Sequence, residues 1–264
     1  MRGDELIKIV KAAGVLRAAP LDFSKVAAHL LPYRASARVS EWARTLVMAV
    51  FPYYIPLPER NVSRYAAVPD YHDVVGQILA GGCSALKRRF PAHRFEAFCD
   101  DSPLPEVAAA AASGLGWIGE HGLLITPEFG SYVFIGAIVT DLAMEKSEPE
   151  MAVGLPGVGC ARCGRCEAAC PAAAIKNKSR CASAISQKKG ILTAGEENLI
   201  RHTRLCWGCD ICQEVCPQNK NPRPTDISAF CADVRPFYHP GDPVEGRAFA
   251  WRGPAVIDRN ARLF

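Results

Sequence analysis

Between Cys160 and Pro217 stand nine of the chain's twelve cysteines, and their spacing limits what this stretch can be. The order is Cys160-x2-Cys163-x2-Cys166-x3-Cys170-Pro171, then Cys181 alone, then Cys206-x2-Cys209-x2-Cys212-x3-Cys216-Pro217. Three thiolates at every third position wrap a tight loop around one face of an iron–sulfur cubane. The fourth, four residues further on and followed by Pro, turns away toward a second cluster. A pair of zinc knuckles also uses Cys-x2-Cys pairs, but zinc takes four ligands per site and leaves the third Cys and the repeated Cys-Pro without a role. The spacing therefore predicts a ferredoxin-like domain with two [4Fe–4S] clusters. Nine cysteines compete for eight positions, so either Cys181 or Cys206 is spare; spacing alone favours Cys206 as the ligand, because it completes the second triplet.

With 264 residues the chain can build one large domain or two modest ones around a substantial core. An apolar fraction of 49% with 22% charged residues is ordinary for a soluble globular protein. Thirty-one basic against twenty-seven acidic residues leave +4, which permits an anionic partner without demanding one. Met1 to Gly14 reads as an amphipathic charged helix without an apolar targeting core, and no run reaches the length of a membrane span. So many thiols without a signal peptide imply a reducing compartment, hence a cytoplasmic protein.

Helical spacing of Leu6, Ile7, Val10 and Ala13 predicts a first helix ending at Gly14, and a second short helix is expected over 25–31. Thr45 to Phe51, an unbroken apolar run closed by Pro52, reads as a strand buried on both faces. Asn61 to His72 is expected as a surface loop entering a helix over 72–89, with Val75, Ile78, Leu79 and Leu86 on its inner side. A short strand over 94–99 then delivers Asp100 at its carboxyl end. Asp101 or Ser102 can cap the alanine helix that follows, and strands are expected over 121–126 and 132–140. The fold class is thus α+β: an α/β-like domain over 1–147, the double-cluster domain over 148–222, and an irregular extension over 223–264 whose final helix is interrupted at Gly253-Pro254.

Two motifs invite over-reading. Gly114-Leu115-Gly116-Trp117-Ile118-Gly119 is a literal G-x-G-x-x-G, but a dinucleotide site needs a strand before it and a helix after it. Here an alanine helix enters and a strand leaves. Asp70-x-His72 resembles the start of a corrinoid-ligating Asp-x-His-x-x-Gly; with Val75 where Gly is needed, a capping Asp and a surface or packed His are expected instead. Cys83 and Cys231 are expected as isolated small residues.

Taken together, Asp100-x2-Pro103-x2-Glu106, the glycine hexapeptide, Leu123-Leu124-Ile125, Gly130-Ser131, Thr140-Asp141-Leu142, Arg180-Cys181-x-Ser183 and the run from Gly208 to Asn219 resemble the epoxyqueuosine reductases. Ser63-Arg64-Tyr65-Ala66 with Asp70-Tyr71-His72 extends the likeness upstream, so that it covers about residues 45 to 220. The resemblance implies a cobalamin- and [4Fe–4S]-dependent oxidoreductase that performs the last step of queuosine biosynthesis on tRNA, removing an epoxide oxygen to leave an alkene. It also implies Asp100 as proton donor, with Asp100, Leu124, Ile125, Thr126, Ser183 and Asp210 along the corrin. It places one cluster on Cys160, Cys163, Cys166 and Cys216 and the other on Cys170, Cys181, Cys209 and Cys212, which makes Cys206 the spare. With no convincing lower-face histidine in the sequence, a base-off cobalamin is expected.

Reductive epoxide opening needs two electrons delivered singly, a strong nucleophile or radical centre, and an acid for the departing oxygen. For Asp100 to hold a proton near neutrality its pKa has to be raised, which a pocket walled by corrin and Trp117 could do by desolvation; the bland alternative is a helix-capping carboxylate. Family members usually carry a C-terminal helical-repeat domain that helps hold tRNA, and here only 251–264 resembles its first helix. Phosphate contacts would therefore fall to Lys87-Arg88-Arg89, Lys176, Lys178, Arg180, Lys188 and Lys189. A monomer served by an external electron donor, with no membrane association, is expected. Other readings are a cobalamin and iron–sulfur reductase of a different substrate, a non-catalytic two-cluster electron-transfer protein, and a zinc-dependent RNA-binding protein.

Overall fold

The computed structural model describes residues 3–32, 39–144 and 159–264, so the expected domain boundary at 145–158 lies outside the described residues. In chain order the elements are α1 (Gly3–Ala12), β1 (Ala18–Asp22), β2 (Thr45–Pro52), α2 (Arg64–Ala67), α3 (Tyr71–Arg89), β3 (Phe95–Phe98), α4 (Glu106–Ala112), β4 (Trp117–Ile118), β5 (Leu124–Ile125) and β6 (Val133–Thr140). The cysteine-rich region adds α5 (Arg165–Ala169), α6 (Ala182–Ser186), α7 (Ala194–Thr203) and α8 (Ile211–Glu214), and the chain ends with α9 (Ser228–Cys231) and α10 (Pro254–Ala261).

A four-stranded sheet in the order β1-β2-β6-β3 carries the first half, and every pairing in it is antiparallel. This makes the domain α+β; the run of apolar residues in β2 arises from central position and not from parallel pairing. Its side chains alternate between two cores, as the two-residue period of a strand requires. Leu46, Met48 and Val50 meet Val139, Phe98 and the alanines Ala109 and Ala110 of α4. Val47, Ala49 and Phe51 meet Ile138, Leu6 and Val10 of α1, and Val75, Leu79 and Leu86 of α3. Each such side chain contributes about 1.5–3 kcal/mol by leaving water, so helices on both faces are what hold the sheet.

Several elements differ from expectation for local reasons. The window over 25–31 forms two single 3-10 turns, Phe23–Lys25 and Ala27–His29, because Asp22 caps the first by accepting the Ser24 N–H at 2.8 Å and the stretch is too short to sustain a helix. Strand β1 was hidden by Pro20, which an edge strand tolerates. The alanine helix starts only at Glu106, since the Ser102 hydroxyl accepts the Leu104 N–H in a preceding turn.

The stretch from Asn61 to Ala67 is not a surface loop. Val62, Ala66 and Ala67 form a third core with Cys206, Trp207, Tyr238, Phe249, Val256 and Ile257. Backbone bonds stitch it further: the Ser63 N–H donates to Trp207 O at 2.8 Å and the Cys206 N–H to Asn61 O at 2.6 Å. Gly208 stands at φ +74 where a Cβ would strike the Ser63 side chain, so only glycine lets these two segments meet. The C-terminal segment, although irregular, thereby belongs to the framework that fixes the cysteine loops against the first half.

Candidate active site

Strand β3 ends at Phe98 and presents Asp100 in the left-handed region, φ 62, with its side chain 62% exposed. The N-terminus of α3 comes to the same place. Asp70 caps that helix by accepting the His72 N–H at 3.0 Å, and the same carboxylate oxygen stands 2.7 Å from His72 Nδ1. On its other side, His72 Nε2 lies 3.2 Å from Asp100 Oδ2, and the Tyr71 hydroxyl donates to that oxygen at 2.8 Å. Tyr71 is fixed by stacking on His72 and on Phe134 of β6, with ring centroids 4.0 and 4.3 Å apart.

This chain of groups sets the protonation pattern. Hydrogen bonds to Asp100 and Asp70 raise the His72 pKa to about 9, so the imidazolium persists at neutral pH. The bond from His72, with that from Tyr71, holds Asp100 below the ordinary carboxylate range despite partial burial. The sequence argument required a raised Asp100; the structure instead stores the proton one residue back, on His72. Close by, Glu106 is pushed up to about 8 by burial and by the Asp100 charge, and its Oε1 is shielded without a partner.

The remaining residues expected along the corrin fall in different surroundings. Leu124 packs in the core beneath α4, and Ile125 borders the cysteine loops. Thr126 pins the β5–β6 turn: its hydroxyl accepts the Phe129 N–H at 3.2 Å and donates to Gly130 O at 3.1 Å. Ser183 lies beside the Tyr65 hydroxyl, which accepts a hydrogen bond from Trp207 Nε1 at 2.9 Å. Asp210 is wholly buried and its Oδ2 already takes Arg60 Nη2 at 3.0 Å and the Arg64 N–H at 2.8 Å, a pairing that opposes the rise in its pKa from burial. Beside Asp100, Glu106 Oε1 is shielded and unpartnered, as is Trp117 Nε1 in β4, while the Asp100 carboxylate stays open to solvent. A ligand edged with amides, as a corrin is, offers the donors and acceptors this set lacks.

The glycine hexapeptide serves packing. Gly116 lies so close to the Ile125 carbonyl that a Cβ would collide with it, because β4 pairs with β5 there, and no helix follows. A dinucleotide-binding turn is thus ruled out by the order of elements seen in the sequence.

The cysteines gather in two groups. Cys160, Cys163, Cys166 and Cys216 line one cavity with Ile125, His121 and Pro217. Burial, with Cys160 and Cys163 adding, pushes the Cys166 and Cys216 thiols up. In the other group burial raises Cys209 to about 11 and Cys212 to about 12, with Cys181 next to both and Cys170 next to Cys209. Such buried thiols ionise only with a cation to compensate them, which iron supplies. Backbone N–H groups already point at the sulfurs, from Glu120 to Cys160 at 3.4 Å and from Ala174 to Cys170 at 3.2 Å. Cys206 stands apart: it is 0% exposed in the third core, and burial alone raises its thiol to about 12. The geometry therefore groups Cys181, not Cys206, with the second set. Cys83 is half-buried and Cys231 exposed, each outside both groups.

His72 is the residue sequence reasoning passed over. Its signal was present in Asp70-x-His72, but a helix-start capping pattern explained it equally well, and only the register of β3 against α3 brings Asp100 to its Nε2.

Residues 159–219 match the 4Fe-4S double cluster binding domain, and residues 34–101 match Epoxyqueuosine reductase QueG, DUF1730. The chain is 32% identical over 213 residues to an epoxyqueuosine reductase of Listeria monocytogenes, covering 73% of this chain and 53% of that one. It is 34% identical over 205 residues to an epoxyqueuosine reductase of Synechocystis sp., covering 71% and 67%. The chain spans about half to two thirds of the length of these relatives. The fold is that of an epoxyqueuosine reductase from Streptococcus thermophilus, with a TM-score of 0.76 at 23% identity over 98% of this chain and 79% of that one. An epoxyqueuosine reductase solved with an epoxyqueuosine-modified tRNA-Tyr stem loop superposes with a TM-score of 0.77 at 24% identity over 98% and 80%. With the double-cluster domain, the matching fold and this identity across two thirds of a curated relative, the chain belongs to the epoxyqueuosine reductase family.

Proposed function

We propose that this chain is the redox core of an epoxyqueuosine reductase, removing the epoxide oxygen of epoxyqueuosine in tRNA with two electrons and two protons to give an alkene and water. The observation that carries the reading is the hydrogen-bonded run Asp70, His72, Asp100, in which an imidazolium paired on both sides leads to an exposed carboxylate. Asp100 delivers a proton to the departing oxygen and recovers it from His72 Nε2; Asp70 keeps Nδ1 protonated and the ring aimed, and Tyr71 fixes the carboxylate. Cys160, Cys163, Cys166 and Cys216 would hold one [4Fe–4S] cluster and Cys170, Cys181, Cys209 and Cys212 the other. Cobalamin, when bound, would supply the strong nucleophile or electron source. The corrin contacts we assign to Asp100, Ile125, Thr126 and Ser183, with Leu124 and Asp210 supporting them from within the fold.

The tRNA reading draws on the family and on the relative solved with a tRNA stem loop. Of the basic residues expected to face phosphate, Lys176, Lys188 and Arg89 are engaged by Glu167, Glu196 and Glu5, and Lys178 donates to His121 O. Lys87 and Arg88 line an open groove of about 680 Å³ with His93 and Arg94, beside edge strand β3. Along that strand at about 3.3 Å per residue, RNA whose target nucleotide sits at Asp100 reaches this groove with its neighbouring phosphates.

The test is Asp100→Asn in anaerobically reconstituted protein. We expect about eight irons and one cobalt per chain to be retained while turnover falls by roughly 10²–10⁴; unchanged turnover removes Asp100 from the chemistry, and absent cobalt in the wild type leaves only an electron-transfer module.

A further inference from the structure

The cavity lined by Cys160, Cys163, Cys166 and Cys216 has one other polar side chain buried in its wall, His121. This ring is 3% exposed, and its Nδ1 accepts the Leu123 backbone N–H at 3.2 Å. An imidazole nitrogen that accepts a hydrogen bond carries no proton, so the ring is neutral and its hydrogen sits on Nε2. Burial and the Lys178 ammonium favour the same neutral form. Yet Nε2 is shielded from water and has no acceptor among the described residues. A buried donor without an acceptor costs about 1–3 kcal/mol; the Lys178 ammonium anchors the residue by donating to its carbonyl at 2.6 Å, and Gly119 leaves room for the ring where any Cβ would strike its Cε1 edge.

We infer that His121 Nε2–H donates a hydrogen bond to a sulfur of the cluster held by Cys160, Cys163, Cys166 and Cys216, and so raises that cluster's reduction potential. The inference rests on the ligand assignment proposed above. A sulfur accepting a hydrogen bond bears less negative charge toward iron, and adding an electron to the cluster becomes easier. His121 is thus a positioning and tuning residue for electron delivery, not a catalytic one. No covalent step is involved; the bond changes only the energy at which one electron enters.

Two variants test it in the reconstituted full chain. His121→Leu removes the donor, and His121→Gln keeps an N–H at similar reach. In redox titrations followed by electron paramagnetic resonance, we expect the ratio of reduced to oxidised cluster at a fixed poise to fall roughly tenfold in His121→Leu, which is about 59 mV for a one-electron couple. The other cluster should keep its midpoint, and His121→Gln should recover part of the shift. An unchanged midpoint in a His121→Leu protein with full iron overturns the inference. Should that variant fail to assemble its cluster, wild-type protein carrying isotope-labelled histidine decides. Hyperfine coupling of a histidine nitrogen to the reduced cluster supports the bond, and its absence overturns it, since among the described residues no other histidine lines this cavity. Loss of iron when Cys160 or Cys216 is replaced by Ala tests the underlying ligand assignment separately.

Discussion

In the proposed mechanism His72 holds the proton that Asp100 would spend, and the sign of its titration gives a test of that role. Its pKa is raised to about 9 in the folded chain from an ordinary 6.5, so the hydrogen bonds it makes stabilise the fold fully below about 6.5 and are lost as pH rises through 9. Turnover should therefore hold through neutrality and fall above pH 9. His72→Gln should lose that alkaline limb and lower the rate by roughly 10²-fold or more, while leaving iron content unchanged. A pH–rate profile of wild type and variant checks both. The place of Asp100 just beyond a strand was legible in the sequence, and its proposed role came from the resemblance. The role of His72 was not legible, since it depends on a contact across 28 residues.

At the scale of elements, the loops around Cys181 and Cys206 decide the second cluster. Cys181 opens helix α6 at its N-cap and lies close enough to Cys209 and Cys212 to raise both electrostatically, whereas Cys206 lies in a core sealed by Trp207 and held by Asn260, whose side chain donates to its carbonyl at 2.8 Å. Cys206→Ala should keep about eight irons and Cys181→Ala should lose about half, read by iron and sulfide analysis of anaerobically purified protein; the reverse pattern would restore the spacing rule. On the assignment proposed here the spacing rule fails because it counts only sequence neighbours, while the backbone pairing of Cys206 with Asn61 holds that residue in the core. Periodicity was a good guide for β2, α3 and β6, each long and apolar enough for burial to dominate. It failed for β1 with its Pro20, for the two-residue β4, and for the stretch 61–67, whose partners are more than a hundred residues away, and the strand expected over 121–126 shortens to Leu124–Ile125.

For the whole molecule, three cores divide the labour. Two lie on either face of an antiparallel sheet, with Asp100 just past β3 and His72 at the start of α3, and the third joins the cysteine loops to the segment 62–67 through Trp207 and the C-terminal segment. No helix among the described residues is long and apolar enough to cross a membrane. The cysteine pattern revealed the electron-carrying half of this design from sequence alone, and the resemblance supplied the rest. What composition could not reveal was that the irregular stretch after the clusters is structural, with Arg247 buried and donating to Ala67 O and Asp233 O. The most direct test of the proposed function is anaerobic incubation of the reconstituted chain with a low-potential reductant and epoxyqueuosine-containing tRNA, followed by nucleoside mass analysis. The account predicts conversion to a nucleoside lighter by one oxygen atom. Intact substrate from protein that holds both clusters and cobalamin would contradict it.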